Sequence, residues 1–228
     1  MSKISLRGFA IIAGISMLFM GTTPYAEFFV YYKLVIPGNA AETTKNILTN
    51  ESLFISGILA YLVNFIADLA AAWAFYGLLK PVNNDLSLLT AWFRLVYTMI
   101  SLSALVNLVS VLRLLNGADT MAGFQPDPLR NQVMLLLYAF RNGWSFAFFF
   151  FGIHLILLGY LIFKSNYIPR VIGVLLIIDG LGWLITILQP FLFPNTNLHF
   201  IAITYFGELI LLFWLLIKGS RIRDHSTT

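Results

Sequence analysis

Apolar residues fill six stretches of this chain almost without interruption, at 8–32, 53–79, 86–112, 133–163, 168–188 and 197–217. A helix rises about 1.5 Å per residue, so about 20 apolar residues cross a hydrocarbon core ~30 Å thick. Each stretch is long enough, and no gap between them can hold a soluble domain. The pattern predicts an all-α fold, a six-helix transmembrane bundle that makes residues 1–228 a single membrane domain.

Punctuation between the stretches sets their ends. Gly77 and Lys80-Pro81 close the second, because proline cannot continue a helix and lysine suits a helix C-terminus. Asn116-Gly117 closes the third. Asp127 and Pro128 read as N-cap and first helical residue of the fourth, which then runs roughly 54 Å and must tilt, bend near Asn142-Gly143 or begin outside the membrane. Pro169 opens the fifth stretch, and Pro190 with Pro194 breaks the chain before the sixth. Asn39, three residues before Glu42, starts a short helix in the 38–52 loop with a capping-box pattern. Asn50-Glu51-Ser52 matches a glycosylation sequon, but Asn50 reads as a helix N-cap. The first stretch is expected to persist as a span, since Pro24 occupies the −3 position of the one candidate cleavage point, after Ala26.

Composition narrows the picture. Only 11% of residues are charged and 59% are hydrophobic, against about 25% charged in soluble domains. The absence of cysteine excludes disulfides, thiolate nucleophiles, iron–sulfur clusters and thiolate zinc sites. The net charge of +4 does not point to nucleic acid, because the basic residues lie between the apolar runs. Lys3, Arg7, Lys80, Lys164, Arg170, Lys218, Arg221 and Arg223 fall on one side of the alternation. Lys33, Lys45, Arg113 and Arg130 fall on the other, and eight against four predicts cytoplasmic termini.

Every stretch also carries an ionisable residue: Glu27, Asp68, Arg94, Arg141 with His154, Asp179 and Glu208. Each costs at least ~2.5 kcal/mol at the bilayer centre unless paired or wetted. Helical spacing places each among polar neighbours, such as Tyr61 and Asn64 beside Asp68, or Thr90, Thr98 and Ser101 beside Arg94. The expected geometry turns all six polar stripes inward. Counted along the helices, Glu27 and Arg141 lie roughly 10 Å toward the outside, whereas Asp68 and Arg94 lie toward the cytoplasm. These form two expected ion pairs. Asp179 and Glu208 are left near the midplane without an arginine, so they are expected to hold a proton or a cation. The candidate network is Glu27, Asp68, Arg94, Arg141, Asp179, Glu208 and Asn64.

His154 follows Arg141 by 13 residues, which turns it roughly 220° from the arginine face. As the only histidine inside a span, it cannot build a bis-histidyl haem or a multi-histidine zinc site. Phe148 to Phe151 is expected to serve lipid contact and packing. Ala67, Ala70, Ala71 and Ala74 allow close helix approach. No residue is assigned to catalysis or to a metal, and no cofactor is expected.

Several blocks resemble a bacterial membrane family, domain of unknown function 4386. They are Tyr76-Gly-Leu-Leu-Lys-Pro-Val82, Ala91-Trp-Phe-Arg-Leu-Val96, the run from Phe150 to Ser165, Ile168-Pro-Arg-Val-Ile-Gly-Val174 and Asn39 to Ile47. The family pattern usually has an aspartate after the glycine at Gly38, where this chain has Asn39. The resemblance implies a six-helix, multi-pass protein of the bacterial plasma (inner) membrane. It implies no reaction, substrate or cofactor.

The sequence favours a non-catalytic membrane component that binds a lipid, a quinone or a partner protein around a buried polar network. A small proton- or cation-coupled carrier is the alternative. An intramembrane lipid-modifying enzyme ranks third, because no histidine cluster, nucleophile motif or phosphate-cradling loop is present. The expected partners are membrane lipids, with a second copy of the chain and a small ligand or cation as further options, and no nucleic acid.

Overall fold

The computed structural model describes residues 4–117, 126–192, 194, 196 and 199–222. Lys3, Arg223 and the terminal residue Thr228 lie outside the described residues. Among those described the fold is all-α, with six helices long and apolar enough to cross a membrane. These are α1 (Leu6–Leu34), α3 (Glu51–Leu79), α4 (Asn84–Gly117), α5 (Pro126–Lys164), α6 (Arg170–Leu192) and the last span, Ile203–Arg221, whose α-helical part is α7 (Gly207–Lys218). A short helix α2 (Ala40–Thr49) lies between the first two spans.

Local chemistry accounts for the boundaries. Gly38 takes a φ of 75°, a left-handed conformation that glycine adopts without strain. Asn39 then caps α2: its Oδ1 accepts the Glu42 amide at 3.0 Å, and its Nδ2 donates to Glu42 Oε2 at 2.9 Å. Asn50 differs from expectation. Its carbonyl accepts the Phe54 amide at 3.0 Å, but its side chain donates back to Asn46 O, closing α2 rather than capping α3. Asn83 is the cap of α4, taking the Leu86 amide at 2.9 Å. Pro190 does not end α6, which continues to Leu192. A proline there removes one backbone bond in the last turn, where the helix can bear the loss.

Two spans are not regular. Pro24 cannot donate to the preceding turn, and the chain widens into a π-helix over Tyr25–Tyr31, closed by Tyr32 N–H to Glu27 O. The last span begins as a 3₁₀ helix, His199–Phe206, and relaxes into α7 at Gly207.

The described residues pack as two compact units. One comprises segments of Met1–Phe19, Ala67–Thr98 and Phe146–Thr228; the other comprises Met20–Ile66 and Met99–Ser145. Within the first, α5 and α6 approach as antiparallel neighbours through two reciprocal glycine pairs. A Cβ on Gly152 would strike Gly180 O, and one on Gly159 would strike Gly173 O, with the reverse equally true. Within the second, Tyr61, Phe65, Phe140 and Trp144 form an aromatic core with ring centroids 5.1–6.4 Å apart. Outside these cores Phe28, Phe29, Val171, Phe191 and Ile203 are exposed. So much exposed apolar surface suits contact with lipid.

Candidate functional site

In the first unit, charge gathers on Arg94. Leu86 to Thr98 forms the early turns of α4 in this unit, and the polar stripe of that helix buries Thr90, Arg94 and Thr98. The guanidinium is fully buried. Its Nε and Nη2 donate to Asp68 Oδ1 of α3 at 3.0 and 2.6 Å. Its Nη1 lies 2.9 Å from His154 Nε2 of α5. The rings of Phe75 and Phe151 cover it, with centroids 5.8 and 5.5 Å away.

The partners of His154 fix its protonation. Nδ1 lies 2.9 Å from the Thr90 carbonyl, which can only accept. Nε2 faces a guanidinium, which can only donate. The ring is therefore the neutral Nδ1–H tautomer, a donor at one nitrogen and an acceptor at the other. An imidazolium would set N–H against N–H, so the histidine extends the arginine's hydrogen bonding without adding charge.

The structure brings Glu208 toward the same arginine and Asp179 to the backbone of Glu208. Glu208 Oε1 lies 3.9 Å from Arg94 Nη1, and the Glu208 side chain is 28% exposed. Asp179 Oδ2 accepts the Glu208 amide at 3.3 Å, and the Gly207 amide and Trp183 indole approach the same carboxylate. Asp179 Oδ1 is buried and completes no hydrogen bond. Gly207 permits this contact, since a Cβ there would meet Asp179 Oδ2 and Leu175 O. Trp183 of α6 stacks between Phe148 and Tyr205, with centroids 4.0 and 4.3 Å away, and Tyr205 bonds Thr186. The expectation of no arginine is therefore corrected for Glu208 alone; Asp179 meets backbone amides and the Trp183 indole. Arg94 has enough nitrogen atoms to meet acceptors in several directions, and Nη1 serves the second side.

The second unit holds the other ion pair. Arg141 Nη1 donates to Glu27 Oε2 at 2.6 Å, Tyr61 donates to Glu27 Oε1, and Arg141 Nη2 donates to the Tyr32 hydroxyl. Tyr31, Tyr32 and Trp144 surround the guanidinium at 5.5, 5.1 and 5.9 Å. The wide turn in α1 makes this possible. Glu27 and Tyr32 are five residues apart, about 140° around an α-helix but stacked one above the other in a π-helix. Asn64 is buried on α3, three residues from Tyr61 and four from Asp68.

Two participants were not legible as such. Spacing along its own helix relates His154 to Arg141, whereas its partner, Arg94, is on α4. Tyr32 falls off the Glu27 stripe when 3.6 residues per turn is assumed. Chemically, each site pairs carboxylates with a guanidinium, and the first adds a neutral imidazole. Among the described residues, no group of three or more acidic, histidine or cysteine side chains is placed to hold a metal.

Six helices long and apolar enough to cross a membrane define a multi-pass helical membrane protein, and each of its two units holds an ion pair. The chain belongs to the family described as Domain of unknown function (DUF4386), which matches residues 12–219. It is also 32% identical over 182 residues to a protein of Archaeoglobus fulgidus named "Uncharacterized protein", covering 79% of this chain and 94% of that one. No solved structure matches it. Asn39 follows Gly38, and its Nδ2 donates to Glu42, a bond that a carboxylate could not make.

Proposed function

We propose that the protein is a non-catalytic, lipid-binding component of the bacterial plasma membrane, with cytoplasmic termini and a buried charge network that ties its helices together. The observation that carries this reading is a contrast within one unit. Arg94, Asp68 and His154 are at most 2% exposed, whereas a cleft of ≈ 490 Å³ opens at the 81–83 and 164–167 links. A general acid or base must reach the atom it acts on, and these groups are sealed. The cleft volume falls within the range of small-molecule sites.

Replacing both outlying acids, Asp179→Asn with Glu208→Gln, tests the role of the network. The amides keep hydrogen-bonding capacity and remove the charge, so thermal stability is expected to hold or rise with lipid binding unchanged. The carrier reading draws support from Asp179 Oδ1, buried without a partner, and from the partly exposed Glu208 beside Arg94. On that reading the double variant would fold but lose any proton or sodium flux in liposomes under an imposed gradient. Such a loss would overturn the non-catalytic assignment in favour of coupling.

Orientation is tested by single cysteines, introduced into a chain that has none. Thr49→Cys and Ser220→Cys both fall at exposed positions. A membrane-impermeant maleimide applied to intact cells is expected to label the first, and the second only after lysis. The opposite pattern would contradict cytoplasmic termini.

A further inference from the structure

The cleft is lined by Pro81, Val82 and Asn83 on one wall and by Tyr160, Leu161 and Lys164 to Tyr167 on the other. Among the described residues it is lined by no carboxylate. Lys164 forms no ion pair among the described residues, and its ammonium sits 5.7 Å from the Tyr160 ring centroid. Asn83 uses its carbonyl oxygen to cap α4, which leaves its Nδ2 free to donate. Asn166 adds an exposed side-chain amide.

Two helices end here, and bare C-terminal carbonyls would repel an anion. Several of them are covered from within. Leu78 O accepts the Tyr167 hydroxyl at 2.6 Å, and Tyr76 O accepts Ser87 Oγ at 3.0 Å. Leu79 O takes the Val82 and Asn83 amides. Leu161 O and Ile162 O take the Ser165 amide, and Ile162 O also takes its hydroxyl at 2.8 Å. Burial raises Tyr167 above the ordinary phenol range, so its hydroxyl stays a donor to Leu78. Beside these occupied acceptors, Lys164 supplies a cation and Asn83 and Asn166 supply amide donors to the cleft. Pro81, Val82 and Leu161 supply an apolar wall, and the lipid-type surface of Phe163 and Val171 lies next to it along the chain.

We infer that this cleft binds the phosphate of an anionic phospholipid headgroup, with Lys164 as its counter-charge and Asn83 and Asn166 as donors. The inference rests on the lipid-binding reading above and names the ligand class for that site. A cation, donors and an apolar wall at the ends of spanning helices match a molecule with a charged head and an oily tail.

Native mass spectrometry of the full chain in detergent, titrated with phosphatidylglycerol or phosphatidylcholine, tests it. Phosphatidylglycerol is expected to bind more tightly. Lys164→Gln should lower that affinity about fivefold, and Lys164→Arg should retain it. Equal affinity for both lipids, unchanged in Lys164→Gln, would overturn the headgroup assignment and leave lipid binding intact. Failure of both lipids to bind would remove the lipid-binding function itself. Inorganic phosphate is expected not to displace the lipid. Displacement at equal concentration would assign the site to the free anion instead.

Discussion

Arg94→Met is expected to destabilise the protein by about 3–5 kcal/mol, because it removes one partner from a buried ion pair and leaves the other behind. Asp68 is 2% exposed, and its Oδ1 loses the donors Arg94 Nε and Nη2. His154 Nε2 loses its donor in the same step. Asp68→Leu alone should be comparably damaging, since it strands a fully buried guanidinium. The double variant should recover much of the loss, as two apolar side chains carry no desolvation penalty. Denaturant unfolding in mixed micelles measures all three. A double variant less stable than either single would show that the pair contributes beyond charge balance.

The glycine pairs between α5 and α6 carry the second large effect. Gly159→Ala or Gly180→Ala places a methyl group against a backbone carbonyl of the other helix, and neither backbone can rotate aside as a side chain would. Overpacking of this kind costs about 1–3 kcal/mol per site. Gly117→Ala is the control, because a Cβ there meets nothing among the described residues and alanine favours a helix. It should change stability by less than about 0.5 kcal/mol in the destabilising direction. Equal tolerance at all three glycines, read by thermal unfolding, would mean that the helices do not approach through these residues.

The long apolar stretches announce the six spans because twenty apolar residues have few other uses. Asn39 with Glu42 likewise announces α2, since both partners of the cap are local in sequence. The charged residues were visible as costs, but their partners depend on rotation about helix axes. On α5 the residues Val133, Leu137, Phe140, Trp144, Ala147, Phe151, His154, Leu158 and Leu161 are all buried, at alternating spacings of four and three. His154 belongs to that seam and Arg141 sits one residue off it. Measuring His154 from Arg141 therefore gave the wrong face, whereas measuring it from the seam gives the right one. Tyr32 depends on the π-helical turn after Pro24, and a period of 3.6 residues cannot show it. The two glycine pairs were present as glycines seven apart on both helices, Gly152 with Gly159 and Gly173 with Gly180, once the helices are known to be antiparallel neighbours.

The central claim is that Arg94, Asp68 and His154 form a sealed tie between helices and that ligand chemistry happens at the cleft. A crystal structure grown from a lipidic mesophase containing phosphatidylglycerol tests it most directly. It should show Arg94 bonded to Asp68 and His154 with no non-protein density between Arg94, Asp179 and Glu208, and phosphate density beside Lys164. A bound molecule, or a chain of waters reaching Arg94 from one face of the membrane, would contradict it.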